Sequence, residues 1–549
     1  MEILPGTPRQ SPAAGIELLQ RLNPADVDAT QRVLSEFVIG LHAAAPSPTQ
    51  HLEMLEAARA KIDAAQTELA KRYASHPLPP DSVENETLQR VVALWRAVAR
   101  SYAGIAGAED GALHEHRALL AQRRVDAAGK ALLEYFRAHR AVPARAWSEL
   151  HASYAAAEGE ALAHVRVPDP LNEVWKAQST TEAYVAVLLV ELANPFGRSQ
   201  REFDWVCRWA QRFSPYCRID TAAGGEAAKP AAYGLDLAAD YGLRPLGVLP
   251  ASASLRRFEG SRLAGQIRGV IGQFKQGAAP ASLGLGADCP PDASTRLLLS
   301  LYRPWGLASA GRRFPRRGCN GKAELCGDWL AIGFNVAGRP FEQPSLFPTP
   351  RGLSVAVPLP AFGEPGVPPA TRGGDPRQHR EAERHGFAAE RWTMFDQSVN
   401  GFRLLRQPQH ERLDHRQLVG IRPPDGERFL LGQVSWLMYR DDAVMEAGIQ
   451  VLPGLPKVVA ARQSDLLRGR HIAYQPAFLL AAVPALKSGP SLVLPAGWFR
   501  PHGVIDIHDD KPMQFRLTGL VLQGKNFDQV TFECVAAPAE RDARQGSRR

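Results

Sequence analysis

Asp396-Gln397-Ser398-Val399-Asn400-Gly401 gathers a carboxylate, a hydroxyl and a glycine into six residues. The carboxylate can accept from the N1–H and N2–H₂ edge of a guanine, and the hydroxyl can donate or accept beside it. The glycine permits positive φ and close backbone approach. The same residue types also make an ordinary β-turn, so the segment acquires a chemical meaning only from what accompanies it. One companion is Arg312-Arg313-Phe314-Pro315-Arg316-Arg317, in which two arginine pairs, Arg312/Arg316 and Arg313/Arg317, overlap at a spacing of four. A guanidinium fork donates two parallel hydrogen bonds to a phosphate and offers a flat cation to a purine. Pro315 keeps Phe314 out of helical geometry, which predicts an extended arm entering a strand. A second arginine pair, Arg380 and Arg384, carries the same spacing with Glu381 and Glu383 interleaved. On its residues alone it reads as a solvated charged segment.

Taken together, the arginine arm and the Asp396-x-Ser398-x-x-Gly401 turn resemble the binding site of the PilZ family. That site combines an Arg-x-x-x-Arg arm before the first barrel strand with Asp/Asn-x-Ser-x-x-Gly farther along the barrel. The resemblance covers roughly residues 310–460 and includes the later strands Gly432–Leu437 and Ala447–Leu452. It implies a PilZ-like β-barrel that binds cyclic di-GMP. Arg312 or Arg313, with Arg316 or Arg317, would grip its phosphates and guanines, Asp396 and Ser398 would bind a guanine, and Gly401 would give clearance. One spacing departs from the family pattern. Arg316 lies 80 residues before Asp396, whereas the alternative arm, Arg380/Arg384, ends 12 residues before it. An insertion over about 338–390, rich in Pro, Gly and charge, accounts for the longer spacing and favours the first arm.

The elements that must position these residues fall into two textures. The first 220 residues read as helices. Ser47-Pro48-Thr49-Gln50 has the pattern of a capping box with proline at the first helical position. Leu52, Leu55, Ile62, Leu69 and Tyr73 then share one face, followed by a second run through Leu88, Val91, Trp95 and Tyr102. Further helical runs cover about 112–139, 146–166 and 179–213. Trp147, Leu150, His151 and Tyr154 form one stripe, which reads as core. Residues 221–300 read as a mixed connector. Lys322–Phe334 reads as one extended apolar segment, and Leu353–Leu359 as a short strand within the insertion. Strands are expected at Arg391–Phe395, Phe402–Leu405, Leu418–Arg422, Arg428–Tyr439 and Val444–Leu452. Pro423-Pro424-Asp425-Gly426 supplies one of their turns. A further small β unit is expected over 461–536, with strands at Leu492–Pro495, Val504–Ile507, Phe515–Leu522 and Val530–Val535. A basic tail, 537–549, follows. The expected class is multidomain α+β, with an N-terminal helical bundle or helical-hairpin stack and a C-terminal antiparallel β-barrel.

Bulk properties narrow the function. The chain has 549 residues, 45% of them hydrophobic, and a formal net charge of +8. That excess is mild for this length and selects neither nucleic acid nor membrane. The strand pattern lacks the alternating aromatic and basic surface of a single-strand nucleic-acid binder. Six scattered cysteines form no Cys-x-x-Cys pair, so neither a zinc knuckle nor a disulfide framework is expected. His379, His385, His410 and His415 lie in polar, turn-rich sequence and show no metal-ligand spacing. No signal peptide, membrane span, Walker A loop or nucleophile elbow stands out.

The expectation is therefore a cytoplasmic receptor without catalysis, metal or redox cofactor, which takes cyclic di-GMP as ligand and passes its binding to a protein partner through the helical region. That region, through Trp147–Tyr154 and Leu188–Phe196, also resembles parts of large proteobacterial proteins carrying such a barrel at the C-terminal end. The resemblance implies control of surface attachment, type IV pili or motility. The alternative is a helical interaction scaffold whose PilZ-like barrel no longer binds.

Overall fold

The structure, a computed structural model, describes residues 12–44, 46–108, 110–222, 232–307, 317–344, 376–398, 400–407, 411–464, 473–509 and 511–535. The chain divides into two compact units, Met1–Arg313 with Met438–Ala443, and Phe314–Leu437 with Val444–Arg549.

The first unit is built on ten α-helices: α1 (Pro12–Gln20), α2 (Val27–Ala44), α3 (Pro48–Ala70), α4 (Ser82–Ala106), α5 (Arg117–Arg137), α6 (Ala146–Gly159), α7 (Thr180–Leu192), α8 (Gln200–Phe213), α9 (Ser261–Lys275) and α10 (Pro291–Gly306). Helix starts are set by local chemistry. Ser47 accepts from the Gln50 N–H at 3.4 Å with Pro48 at N1, and α2 begins beyond Asp26, whose carboxylate accepts from Ala29 N–H. Reciprocal capping boxes, which satisfy two orphan donors at once, close the starts of α4 (Asp81/Glu84), α7 (Ser179/Glu182) and α8 (Ser199/Glu202). Helix α5 is apolar on two sides. Leu120, Ala127 and Tyr135 pack into a core shared with α1–α4, whereas Val125, Leu132 and Phe136 pack into a second core with α6–α10.

The Trp147–Tyr154 stripe lies in that second core. His151 is fully buried. Its Nε2 lies 2.9 Å from the Tyr241 carbonyl, and its Nδ1 2.6 Å from the Tyr184 hydroxyl. Burial lowers its pKa, so it is a neutral, satisfied core histidine with the Nε2–H donating to the carbonyl. Residues 221–300 correct the reading of a mixed connector. A two-residue ladder, β1 (Val167–Pro168) with β2 (Ala177–Gln178), precedes a four-stranded sheet. The sheet contains β3 (Arg218–Thr221), β4 (Tyr233–Asp236), β5 (Arg244–Pro245) and β6 (Leu255–Glu259) in the order β3-β6-β4-β5. Ile219, Leu235 and Phe258 from this sheet join Ile267 and Leu298 from α9 and α10 in the same core as α7. The region is wall, not linker, because its apolar residues fill the open side of the helices.

The second unit contains two closed six-stranded antiparallel barrels. The first comprises β7 (Arg317–Cys326), β8 (Glu390–Ser398), β9 (Gly401–Arg406), β10 (Leu418–Arg422), β11 (Leu430–Tyr439) and β12 (Met445–Val451). The second comprises β13 (Pro456–Gln463), β14 (Gln475–Leu480), β15 (Ser491–Pro495), β16 (Val504–Asp509), β17 (Lys511–Gln523) and β18 (Phe527–Val535). The fold is multidomain α+β, as the sequence texture indicates. Strand β13 pairs with β14 and β16, so the second barrel starts before residue 461.

Lys322–Phe334 is not one extended segment. Strand β7 stops at Cys326, and the Asp328 carboxylate accepts from the N–H groups of Leu330 and Ala331 at 2.9 Å each. That cap starts α11 (Trp329–Ala337). Helix α11 enters a core shared by the two barrels, where Ile332 meets Leu418 and Leu431 from one and Phe478 and Phe527 from the other. Helix α12 (Pro376–His385) follows before β8. Strands β7 and β8 nevertheless pair directly, so residues between them form an insertion that begins at the end of β7 rather than at 338. The short strand expected at Leu353–Leu359 lies outside the described residues.

Candidate functional site

Strand β8 carries Asp396 and Ser398 at its C-terminal end, and Ser398 pairs directly with Gly401 across the β8–β9 hairpin. The turn reading and the pocket reading are therefore compatible: Asp-x-Ser-x-x-Gly is a hairpin end. Gly401 does not have the positive φ that its type permits. It is required for close approach instead. A Cβ there would lie 2.7 Å from the Ile449 carbonyl on β12, well inside van der Waals contact. Among the described residues Ser398 Oγ makes only long contacts, 3.3 Å to Asn400 Oδ1 and 3.3 Å to the Gly401 carbonyl.

A β-bulge decides which way the acid points. Met394 pairs with Leu404 and Asp396 with Arg403, so Phe395 is the extra residue on β8. Met394 and Leu404 face the barrel interior, at 3% and 0% exposure. The bulge then turns both Phe395 and Asp396 outward, which strict alternation would forbid. Phe395 is 54% exposed, and the Arg403 guanidinium lies over its ring at 4.6 Å. Arg403 is held by an ion pair with the buried Glu446 on β12. On the other side of Asp396, the β7 partner is Gly318. Among the described residues a Cβ on Gly318 would meet nothing within 4 Å, so none of them covers the outer face beside the carboxylate. Along the same row, Arg403 pairs with Gly448, and the Trp436 indole covers Gly448 so closely that a Cβ would sit 1.9 Å from its Nε1.

A groove of about 700 Å³ continues from Phe395 along the outer face, lined also by Lys322, Thr393, Leu405, Arg406 and Val444. Lys322 Nζ donates to Thr393 Oγ1 at 2.7 Å. Arg406 stacks on Trp392 and pairs with Glu390, and burial lowers its pKa to about 10. The surface can present an acid, a hydroxyl, an aromatic face and cations to one polar ligand.

Of the arginines read from sequence, Arg312, Arg313 and Arg316 lie outside the described residues. Arg317 is the first residue of β7, exposed, and opposite Gln397, one position from Asp396. Arg380 and Arg384 lie on α12, whose end packs through His385 on Phe334 of α11. That helix precedes the opposite, N-terminal end of β8. Among the described residues no cluster of His, Cys, Asp or Glu has the makings of a metal site, and no helix is long and apolar enough to cross a membrane. Phe395, Arg403 and Trp436 complete the surroundings of Asp396 and carried no motif in the sequence. Alternation counted from Phe402 and Leu404 would have put Arg403 outside, but no local signal announces the bulge at Phe395.

Comparison with known families adds an independent line. Residues 14–224 match the model of the N-terminal domain of the cyclic-di-GMP receptor FimW. Residues 459–535 match the model of the FimW C-terminal β-barrel domain. Neither range includes the first barrel. No curated protein and no solved structure matches the chain.

Proposed function

We propose that this chain, whose two ends match domains of a cyclic-di-GMP receptor, is itself such a receptor and takes the ligand on the outer face of its first barrel. One observation carries the choice of site: the antiparallel register of β7 and β8, in which Arg317 and Gly318 stand opposite Gln397 and Asp396. The arm Arg312–Arg316 immediately precedes Arg317 in the chain, so the register supports that arm over Arg380/Arg384. In this reading Asp396 accepts from the guanine edge, Ser398 donates or accepts beside it, and the arginines hold the phosphates. Phe395 offers a stacking face. Gly318 and Gly401 keep the row thin enough for a flat base to approach.

The protein acts without catalysis. A ligand shifts a conformational equilibrium only by its differential affinity for the two states, and the arginine–phosphate contacts supply that difference here. The consequence is a changed surface for a protein partner engaged through the helical unit, in the control of attachment, pili or motility. Isothermal titration of the full chain with cyclic di-GMP tests the reading. Asp396→Ala removes a charge-assisted contact and is expected to weaken binding about 10- to 100-fold. Arg312→Ala with Arg316→Ala should do the same, while Arg380→Ala with Arg384→Ala should not. Absence of binding to the wild-type chain would sink the receptor reading and leave the helical scaffold with a non-binding barrel. Loss of binding only in the Arg380/Arg384 variant would overturn the arm assignment alone.

A further inference from the structure

The arginines of the first unit differ in their partners. Those that carry structure are paired. Arg59 bonds Asp169 at 2.8 Å and Asp126 at 3.2 Å, and Arg123 grips Glu56 through Nε and Nη2. Arg72 and Arg90 share Asp28, and Arg256 pairs with Glu158 at 2.7 Å. Arg96, Arg100 and Arg124 are different. They converge on one hollow of about 250 Å³ between α4, α5 and α6. Among the described residues none of the three makes a hydrogen bond or ion pair, although Arg96 and Arg124 are half-buried. Arg124 follows Arg123 directly, yet its neighbour turns inward to a carboxylate while it turns to the hollow.

The floor is made of small side chains, Ala99 and Ala103 of α4, Ala128 and Ala131 of α5, and Ala152 of α6. They let three helices approach while leaving a concave space. Tyr135 adds a phenol at one end, which burial keeps protonated as a donor, and Glu149 is the one acid among the residues that line the hollow. Burial also lowers the pKa of Arg124, with no counter-charge offsetting it. Arg96 and Arg100, one turn apart, repel each other as like charges at i,i+4. Half-buried cations gathered without partners cost stability unless something anionic occupies the space.

We infer that the Arg96/Arg100/Arg124 hollow is a binding site for a small phosphorylated molecule, separate from the first barrel's face. Planar guanidinium forks match phosphoryl oxygens in pairs. The hollow lies just below the usual ~300–1,000 Å³ of small-molecule sites. It therefore suits a phosphoryl group with a small body attached rather than a cyclic dinucleotide.

The test uses the full chain and three probes, inorganic phosphate, pyrophosphate and guanosine monophosphate, at constant ionic strength. At least one should bind and raise Tm, and Arg124→Gln and Arg96→Gln should each weaken it about tenfold or more. Without probe, both variants should be as stable as the wild type or slightly more so, because each removes an uncompensated cation. No response of the wild type to any probe, or an equal response in the variants, overturns the proposal. So does a marked loss of stability in unliganded Arg124→Gln, which would make Arg124 structural. Loss of cyclic di-GMP binding in these variants would merge the hollow with the receptor site and overturn its separateness.

Discussion

Gly318 stands directly opposite Asp396 across β7 and β8, and among the described residues none fills the space its missing side chain leaves. A side chain there is the gentlest way to obstruct the outer face without touching a ligand-binding group. Gly318→Val should change stability by no more than about 0.5 kcal/mol, as for an unstrained surface change. It should weaken cyclic di-GMP binding by more than it weakens the fold. Denaturant titration beside calorimetric binding checks this, and unchanged affinity would move the ligand away from Asp396.

Gly401 and Ser398 separate structure from recognition within one motif. Gly401→Ala drives a methyl against the Ile449 carbonyl and is expected to cost about 1–3 kcal/mol through the strain of overpacking. Ser398→Ala removes two contacts of 3.3 Å and should cost less than about 0.5 kcal/mol. Chemical denaturation of both variants distinguishes them. Equal losses would mean that the hydroxyl is part of the hairpin's frame.

Arg403 lies over Phe395 and neutralises Glu446, whose carboxylate is buried. Arg403→Ala strands that charge and is expected to destabilise by about 3–5 kcal/mol. Adding Glu446→Gln should recover most of the loss. A double-mutant cycle in urea reads the coupling, and additive losses would show the pair to be dispensable.

The helical unit should lose stability on acidification for an identifiable reason. His51 on α3 is buried against Ser101 of α4, its Nε2 2.6 Å from the hydroxyl. Burial, with a smaller contribution from His42, lowers its pKa from 6.5 to about 4. The folded state therefore binds this proton less readily than the unfolded chain does. The contribution is fully present above pH 6.5 and is lost as pH falls from 6.5 towards 4, on the order of 3 kcal/mol at most. His51→Gln should flatten the Tm profile across that window. A profile as steep as the wild type's would place the acid sensitivity elsewhere.

The sequence made legible what depends on regular periods. The barrel strands from Arg391 to Leu452 follow from alternation and from turn residues such as Pro423-Pro424-Asp425-Gly426, and α3–α6 follow from 3–4 spacing and their breaks, whereas the single run read over 179–213 divides into α7 and α8 at Asn194-Pro195. Irregular elements hid. Trp329–Phe334 is apolar at every position and fits a strand as well as a helix; Asp328, one residue earlier, decides it by capping. Residues 221–300 lack a long period because short strands and two helices complete a core made mostly by others. At the candidate site the hairpin end was readable, since Asp, Ser and Gly are turn residues with a motif's spacing. The bulge at Phe395 was not, because an extra residue in a strand leaves no compositional trace. Arg96, Arg100 and Arg124 carry no motif in the sequence; what sets them apart is that, among the described residues, none of them makes a hydrogen bond or ion pair.

Helix α11 has a thermodynamic consequence. Its Ile332 lies in one apolar cluster with residues of both barrels, and its Trp329 indole donates to the Pro476 carbonyl at 2.8 Å. The two barrels thus share part of their buried surface, although the second also holds a cluster of its own around Leu492, Ile507 and Phe515, and melting one exposes part of the other's wall. The pair forms a single cooperative block, expected to give one calorimetric transition. A fragment cut at residue 459, inside β13, would lose the start of its first strand and its apolar contacts with α11 and the first barrel. The family boundary found by sequence similarity is thus not a folding boundary.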